Sequence, residues 1–162
     1  MKISGIVEES IVDGPGIRFT VFFQGCTHNC FKCHNPHTHD INKGKEISVD
    51  EIIEKIKKFP LTDGVTLSGG DPLMQIDECL ELCKKIKDIG LEIIVYTGYT
   101  YEQILKMNSK YQELLNYIDY LVDGPFIYSL LDLSLHYRGS SNQRIIDIKK
   151  TLLNNEMTIA NL

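Results

Sequence analysis

The chain has no tryptophan, and no apolar run approaches the roughly 20 residues of a membrane span. It has no basic surplus either. Its 22 acidic residues outnumber 17 Lys and Arg, a net charge of -5 that argues against a dominant nucleic-acid-binding role. Internal repeats, low-complexity stretches and Pro/Gly/Ser-rich linkers are all missing, so one domain over residues 1–162 is expected. That length falls short of a complete eightfold (β/α) barrel, which takes about 250 residues. The opening Met1-Lys2-Ile3-Ser4-Gly5-Ile6 lacks the basic start and apolar stretch of a secretory signal. A soluble, cytoplasmic protein with no membrane partner is the expectation.

The chain does have cysteines in clusters. Of five, Cys26, Cys30 and Cys33 fall within eight residues, and Cys79 and Cys83 are four apart. In a reducing compartment such clustering points to metal or redox chemistry before disulfides. Cys79 and Cys83 share a helix face with Leu80 and Ile86, and are read as core.

Strand and helix patterns alternate. Arg18–Phe23 is rich in β-formers and runs straight into the cysteine loop. Ser48 and Glu51 form a capping-box pattern before a helix near 49–59, and Thr100 with Gln103 forms a second. Strands are expected at 65–67, 92–96, 118–122 and 144–148, with a last short one at 157–160. Thr151–Asn155 fits a short helix. The glycine-rich and polar segments all follow strands. This order predicts an α/β fold: a partial (β/α) barrel of about five or six parallel strands, open on one side. Ligands in such folds bind at the carboxyl ends of the strands.

Two metal chemistries suit the loop. Three thiolates can hold three irons of a four-iron cluster and leave the fourth open to substrate, since full protein ligation takes four cysteines. Alternatively, one of His28, His34, His37 or His39 completes a closed Cys3His zinc site.

The spacing Cys26-x3-Cys30-x2-Cys33 resembles the cluster motif of the radical S-adenosylmethionine enzymes. Val12-Asp13-Gly14-Pro15-Gly16-Ile17-Arg18, Gln24-Gly25-Cys26 and Cys33-His34-Asn35-Pro36 resemble the glycyl-radical-enzyme activating enzymes within that superfamily. Leu67–Leu73, Val122-Asp123-Gly124 and Arg138–Asp147 are similar to the branch that acts on anaerobic ribonucleoside-triphosphate reductase. The resemblance spans roughly residues 3–150.

The resemblance implies a [4Fe-4S] cluster on Cys26, Cys30 and Cys33, with S-adenosyl-L-methionine at the open iron. Reductive cleavage of that cofactor then generates a glycyl radical on the reductase's large catalytic subunit. It implies that Ser68, Gly69, Gly70 and Asp71 take the methionine amino group, with Gly70 foremost. Lys32, Cys33 and His34 meet the adenine through their backbone, and Thr97 and Asp123 face the carboxylate or ribose. Tyr96 and Pro125 stand where the pyruvate formate-lyase branch has an acid and a lysine. Arg138, Asn142 or Arg144 are therefore the substitutes for holding the carboxylate. Asp13 is a candidate contact to the partner's glycine segment, and reduced flavodoxin or ferredoxin is the implied electron donor. The alternatives are activation of another glycyl radical enzyme such as pyruvate formate-lyase, or a non-catalytic zinc-binding interaction module.

Overall fold

The structure, a computed structural model, describes residues 1–162. Its centre is a mixed seven-stranded sheet. The strands are β1 (Lys2–Ser10), β2 (Arg18–Phe23), β3 (Lys45–Glu46), β4 (Gly64–Gly69), β5 (Glu92–Tyr96), β6 (Tyr120–Asp123) and β7 (Arg144–Asp147). They lie in the order β3-β1-β2-β4-β5-β6-β7, with the two ends unjoined. Helices α1 (Val49–Lys57), α2 (Ile76–Asp88), α3 (Tyr101–Leu105) and α4 (Ser109–Leu114) fill the crossovers, and α5 (Ile148–Asn154) follows the last strand. No helix is long and apolar enough to cross a membrane.

The α/β reading holds, but the parallel run is shorter than expected. Only β2, β4, β5 and β6 pair in parallel, where five or six such strands were expected. β1 pairs antiparallel with β2, and β7 antiparallel with β6. A parallel return needs a crossover of a dozen or more residues, and seven residues separate β1 from β2. The stretch expected as a strand at 157–160 makes one isolated bridge, Ile146 to Ile159.

Strand alternation sends Phe19, Val21, Phe23, Val65, Leu67, Ile93, Val95, Leu121 and Ile146 into the main core. Both capping boxes form as read, Ser48 with Glu51 and Thr100 with Gln103. α1 buries Ile52, Ile53 and Ile56 in that core, at about 1.5–3 kcal/mol per side chain. Cys79 and Cys83 are fully buried there, and the hydrogen bond with Cys83 together with burial holds the Cys79 thiol well above its usual range. The opposite face of the sheet carries a small cluster, Ile94, Val122 and Ile145, flanked by Tyr96, Tyr120 and Tyr137. Next to it Arg18, 1% exposed, donates to Thr66 Oγ1 at 3.2 Å, the Val65 carbonyl at 2.9 Å and Glu92 at 2.7 Å.

Arg144 fastens the β7 edge. Its guanidinium donates to Asp123 at 3.0 and 2.5 Å and to both oxygens of Glu102 at 3.0 and 2.7 Å. Hydrogen bonds from Arg144 hold the Glu102 carboxyl at about 2, down from 4.5. A lowered carboxyl pKa gives stability that is present above 4.5 and lost as the pH falls toward about 2. Glu102 is largely exposed, so the pair is worth no more than about 1 kcal/mol. Urea unfolding across that window should show the wild type losing up to about 1 kcal/mol more than Glu102→Gln. Equal losses would remove the pair from the acid response.

Candidate functional site

The four parallel strands end side by side at Phe23, Gly69, Tyr96 and Asp123, and the loops after them form the site. The loop after β2 closes on itself. Gly25 N–H donates to the Thr38 carbonyl at 2.7 Å and Cys26 N–H to the His39 carbonyl at 3.1 Å. Buried Gln24 donates to the His37 and Asp40 carbonyls from inside the ring so formed. Asn29 and Lys32 take left-handed backbone, with φ of 51° and 53°, each just before a cysteine. Asn adopts this region readily; a lysine does so only where its surroundings enforce it. Its ammonium lies 4.3 Å from the centre of the Tyr128 ring.

Cys26, Cys30 and Cys33 are all free and partly buried. Burial pushes the Cys26 thiol up to about 11; the His28 amide opposes this, and the Asp71 carboxylate adds to it. Asn35 N–H donates to Cys33 Sγ at 3.4 Å. The three thiols line a cavity of about 150 Å³ with Ser68, Gly69, Gly70 and Thr97. A second cavity of about 420 Å³ adjoins it, lined by Asp13, His34, Tyr96, Tyr137 and Arg138 among others. Asn35, Ser68, Tyr96, Phe126 and Gln143 border both, so the two form one groove. The larger part matches the size of common small-molecule sites, about 300–1,000 Å³.

Asp71 lies under this groove, fully buried. Its carboxylate accepts from Leu73 N–H at 2.9 Å, Gly98 N–H at 2.9 Å and the Thr97 hydroxyl at 2.9 and 3.0 Å. His28 Nε2, from the cysteine loop, sits 2.6 Å from the same carboxylate and packs edge-on against Tyr99. A Cβ on Gly98 would stand 2.5 Å from the His28 ring, and one on Gly70 2.4 Å from the Gly25 carbonyl. These glycines therefore let the cysteine loop press onto the strand-end turns.

The expected residues divide accordingly. Cys26, Cys30, Cys33, Ser68, Gly69, Gly70 and Thr97 meet at the small cavity, and His34 lines the larger one beside Phe126. Asp71 and Asp123 do not reach the groove. Asp71 is saturated by protein donors, and Asp123 by Arg144 and the Tyr101 N–H. Arg144 is thereby withdrawn as a carboxylate holder. Asn142 donates to the Pro125 carbonyl, which leaves its Oδ1 buried and unpartnered. Lys32 turns outward onto Tyr128. Asp13 lines the groove while accepting from Ser10 and Thr20 at 2.5 and 3.1 Å. Tyr96, Phe126, Tyr137 and Gln143 were not singled out as groove residues. Gln143 accepts from Gly139 N–H and Ser140 N–H and donates to the Gly124 carbonyl, tying the 138–147 segment to the turn after β6.

The donor set suits a cluster. His28 Nε2 is engaged by Asp71, and the His34 ring packs against Phe126. Three separate soft thiols, with the strand-end turns opposite, fit an iron–sulfur cluster lacking a fourth protein ligand.

Known proteins agree. Residues 12–146 match the family described as a 4Fe-4S single cluster domain. The anaerobic ribonucleoside-triphosphate reductase-activating protein of Escherichia coli K12 is 38% identical over 141 residues, 82% of this chain and 90% of that one. Its counterpart from Vibrio cholerae is 38% identical over 143 residues, 83% and 90% of the two chains. The pyruvate formate-lyase-activating enzyme of Clostridium pasteurianum is 42% identical over 114 residues, 65% of this chain but 48% of its own. On these matches and this loop, the chain belongs to the single-cluster [4Fe-4S] family that contains the anaerobic ribonucleoside-triphosphate reductase-activating proteins.

Proposed function

We propose that the chain is an activating enzyme that generates a glycyl radical on the large catalytic subunit of anaerobic ribonucleoside-triphosphate reductase. The observation that carries this reading is three free thiols on one closed loop, facing the strand-end turns across a shared cavity. A [4Fe-4S] cluster held on this loop would supply the electron for reductive cleavage of S-adenosyl-L-methionine. Cys26, Cys30 and Cys33 hold it, giving up their protons to do so. Backbone carbonyls of Ser68, Gly69 and Gly70 take the amino group. Cys33 and His34 border the groove along which the adenosyl end extends. Tyr96, Phe126 and Tyr137 line the same groove with aromatic surface.

The carboxylate falls to Arg138. Of the three candidates it alone lines the groove with a guanidinium not committed to an ion pair: it makes one hydrogen bond, to the Gln143 carbonyl, and its Nε is unpartnered. The partner's glycine segment enters past Asp13, where Val12 and Leu133 expose 73% and 89% of their surface at the groove's edge. Reduced flavodoxin or ferredoxin is the proposed electron donor, and the cytoplasm the compartment; five unpaired cysteines suit a reducing one. Activation of a pyruvate formate-lyase is the second reading. The reductase branch is favoured because its members align over 90% of their length, against 48%.

Anaerobic reconstitution with iron and sulfide tests the proposal. The wild type should bind about four irons per chain, as a [4Fe-4S] cluster requires. With dithionite and S-adenosylmethionine it should form 5′-deoxyadenosine. Cys30→Ala should lose both properties and Cys83→Ala keep them. Electron paramagnetic resonance should detect a glycyl radical on the reductase subunit and none on pyruvate formate-lyase. A colourless, zinc-loaded protein that leaves S-adenosylmethionine intact would end the proposal. Arg138→Gln should weaken S-adenosylmethionine binding roughly 10- to 100-fold, the worth of a charged hydrogen bond. Its affinity for decarboxylated S-adenosylmethionine should stay at the wild-type level. Equal weakening for both ligands would take the carboxylate away from Arg138.

A further inference from the structure

The cysteine loop touches one buried charge, and that contact is built from four directions. Asp71 is wholly buried, yet its carboxylate accepts from the Leu73 and Gly98 amides, the Thr97 hydroxyl and His28. Four donors fill the roughly four lone-pair sites of an ionised carboxylate, which has no proton to donate. With the other three contacts all donating, His28 gives its Nε2–H. His28 lies midway between Cys26 and Cys30 on the same short loop, so the Asp71 carboxylate is in hydrogen-bond contact with the segment that carries two of the three thiols. In a low-dielectric interior a charge this close acts strongly on any neighbour that gains or loses an electron.

We propose that the Asp71 carboxylate, held in place by His28, sets the reduction potential of the cluster on this loop. The role rests on the cluster reading given above. Adding an electron to a cluster beside a fixed negative charge is made harder by that charge. His28 partly offsets it by pointing its N–H at the carboxylate, and it also fixes the distance, which makes it a positioning residue. Neither side chain is a ligand, and burial and protein partners keep Asp71 from acting as a cofactor contact.

Redox titration of the reconstituted full chain, with iron and sulfide counted in parallel, tests the proposal. Asp71→Asn removes the charge and should make reduction easier by at least tenfold in its equilibrium constant, about 59 mV for one electron. His28→Leu uncovers the charge and should move the potential the other way. His28→Gln, which keeps a donor, should stay near the wild type. A loop that is merely loosened would move Asp71→Asn and His28→Leu in the same direction, and that result overturns the proposal. So does an unmoved potential in Asp71→Asn with its iron complete. Should Asp71→Asn fail to fold, His28→Leu against His28→Gln decides, and identical potentials in the two refute the idea. A wild type that takes up no iron defeats the cluster reading itself, and this role falls with it.

Discussion

Asp71 is buried beyond the reach of water, and four partners surround its carboxyl group. The donors come from three separate segments of the fold. Leu73 opens the turn toward α2, Thr97 and Gly98 end β5, and His28 belongs to the cysteine loop. Removing a partner from such a group leaves a buried charge short of solvation, at a cost of several kcal/mol. The three loops are therefore coupled, and the cysteines are held where the parallel strands end. Gly70 and Gly98 complete the arrangement by leaving room for the Gly25 carbonyl and the His28 ring.

The same economy governs the other side of the groove. Asp123 and Arg144 join β6 to β7, and Gln143 joins the segment before β7 to the turn after β6. Charges that a motif alone would offer to a ligand are thus spent on architecture. Arg138 is left as the guanidinium facing the groove without an acidic partner in contact. The division is physical: groups saturated by protein position the site, and groups with unfilled bonds are available to what enters it.

Much of this was legible in the sequence because it is local. Capping boxes, strand alternation, the cysteine spacing and the burial of Cys79 and Cys83 depend on neighbours a few residues apart. The antiparallel edges were not. β1 carries Gly5 and exposed Val7, Glu8 and Glu9, which blur a period of two, and its direction is set by the short link to β2. The protein partners of Asp71 and Asp123 escape the sequence for a related reason. A carboxylate at a strand end looks available until its partners, separated from it by 21 to 43 residues, are brought into contact.

The central claim is that three thiolates of one loop hold a cluster whose fourth iron stays open. Electron paramagnetic resonance of the reduced, reconstituted protein tests it most directly, recorded before and after S-adenosylmethionine is added. The account predicts a cluster signal whose shape changes when S-adenosylmethionine occupies the open iron. An identical signal with and without S-adenosylmethionine, from a fully reduced cluster, would contradict it.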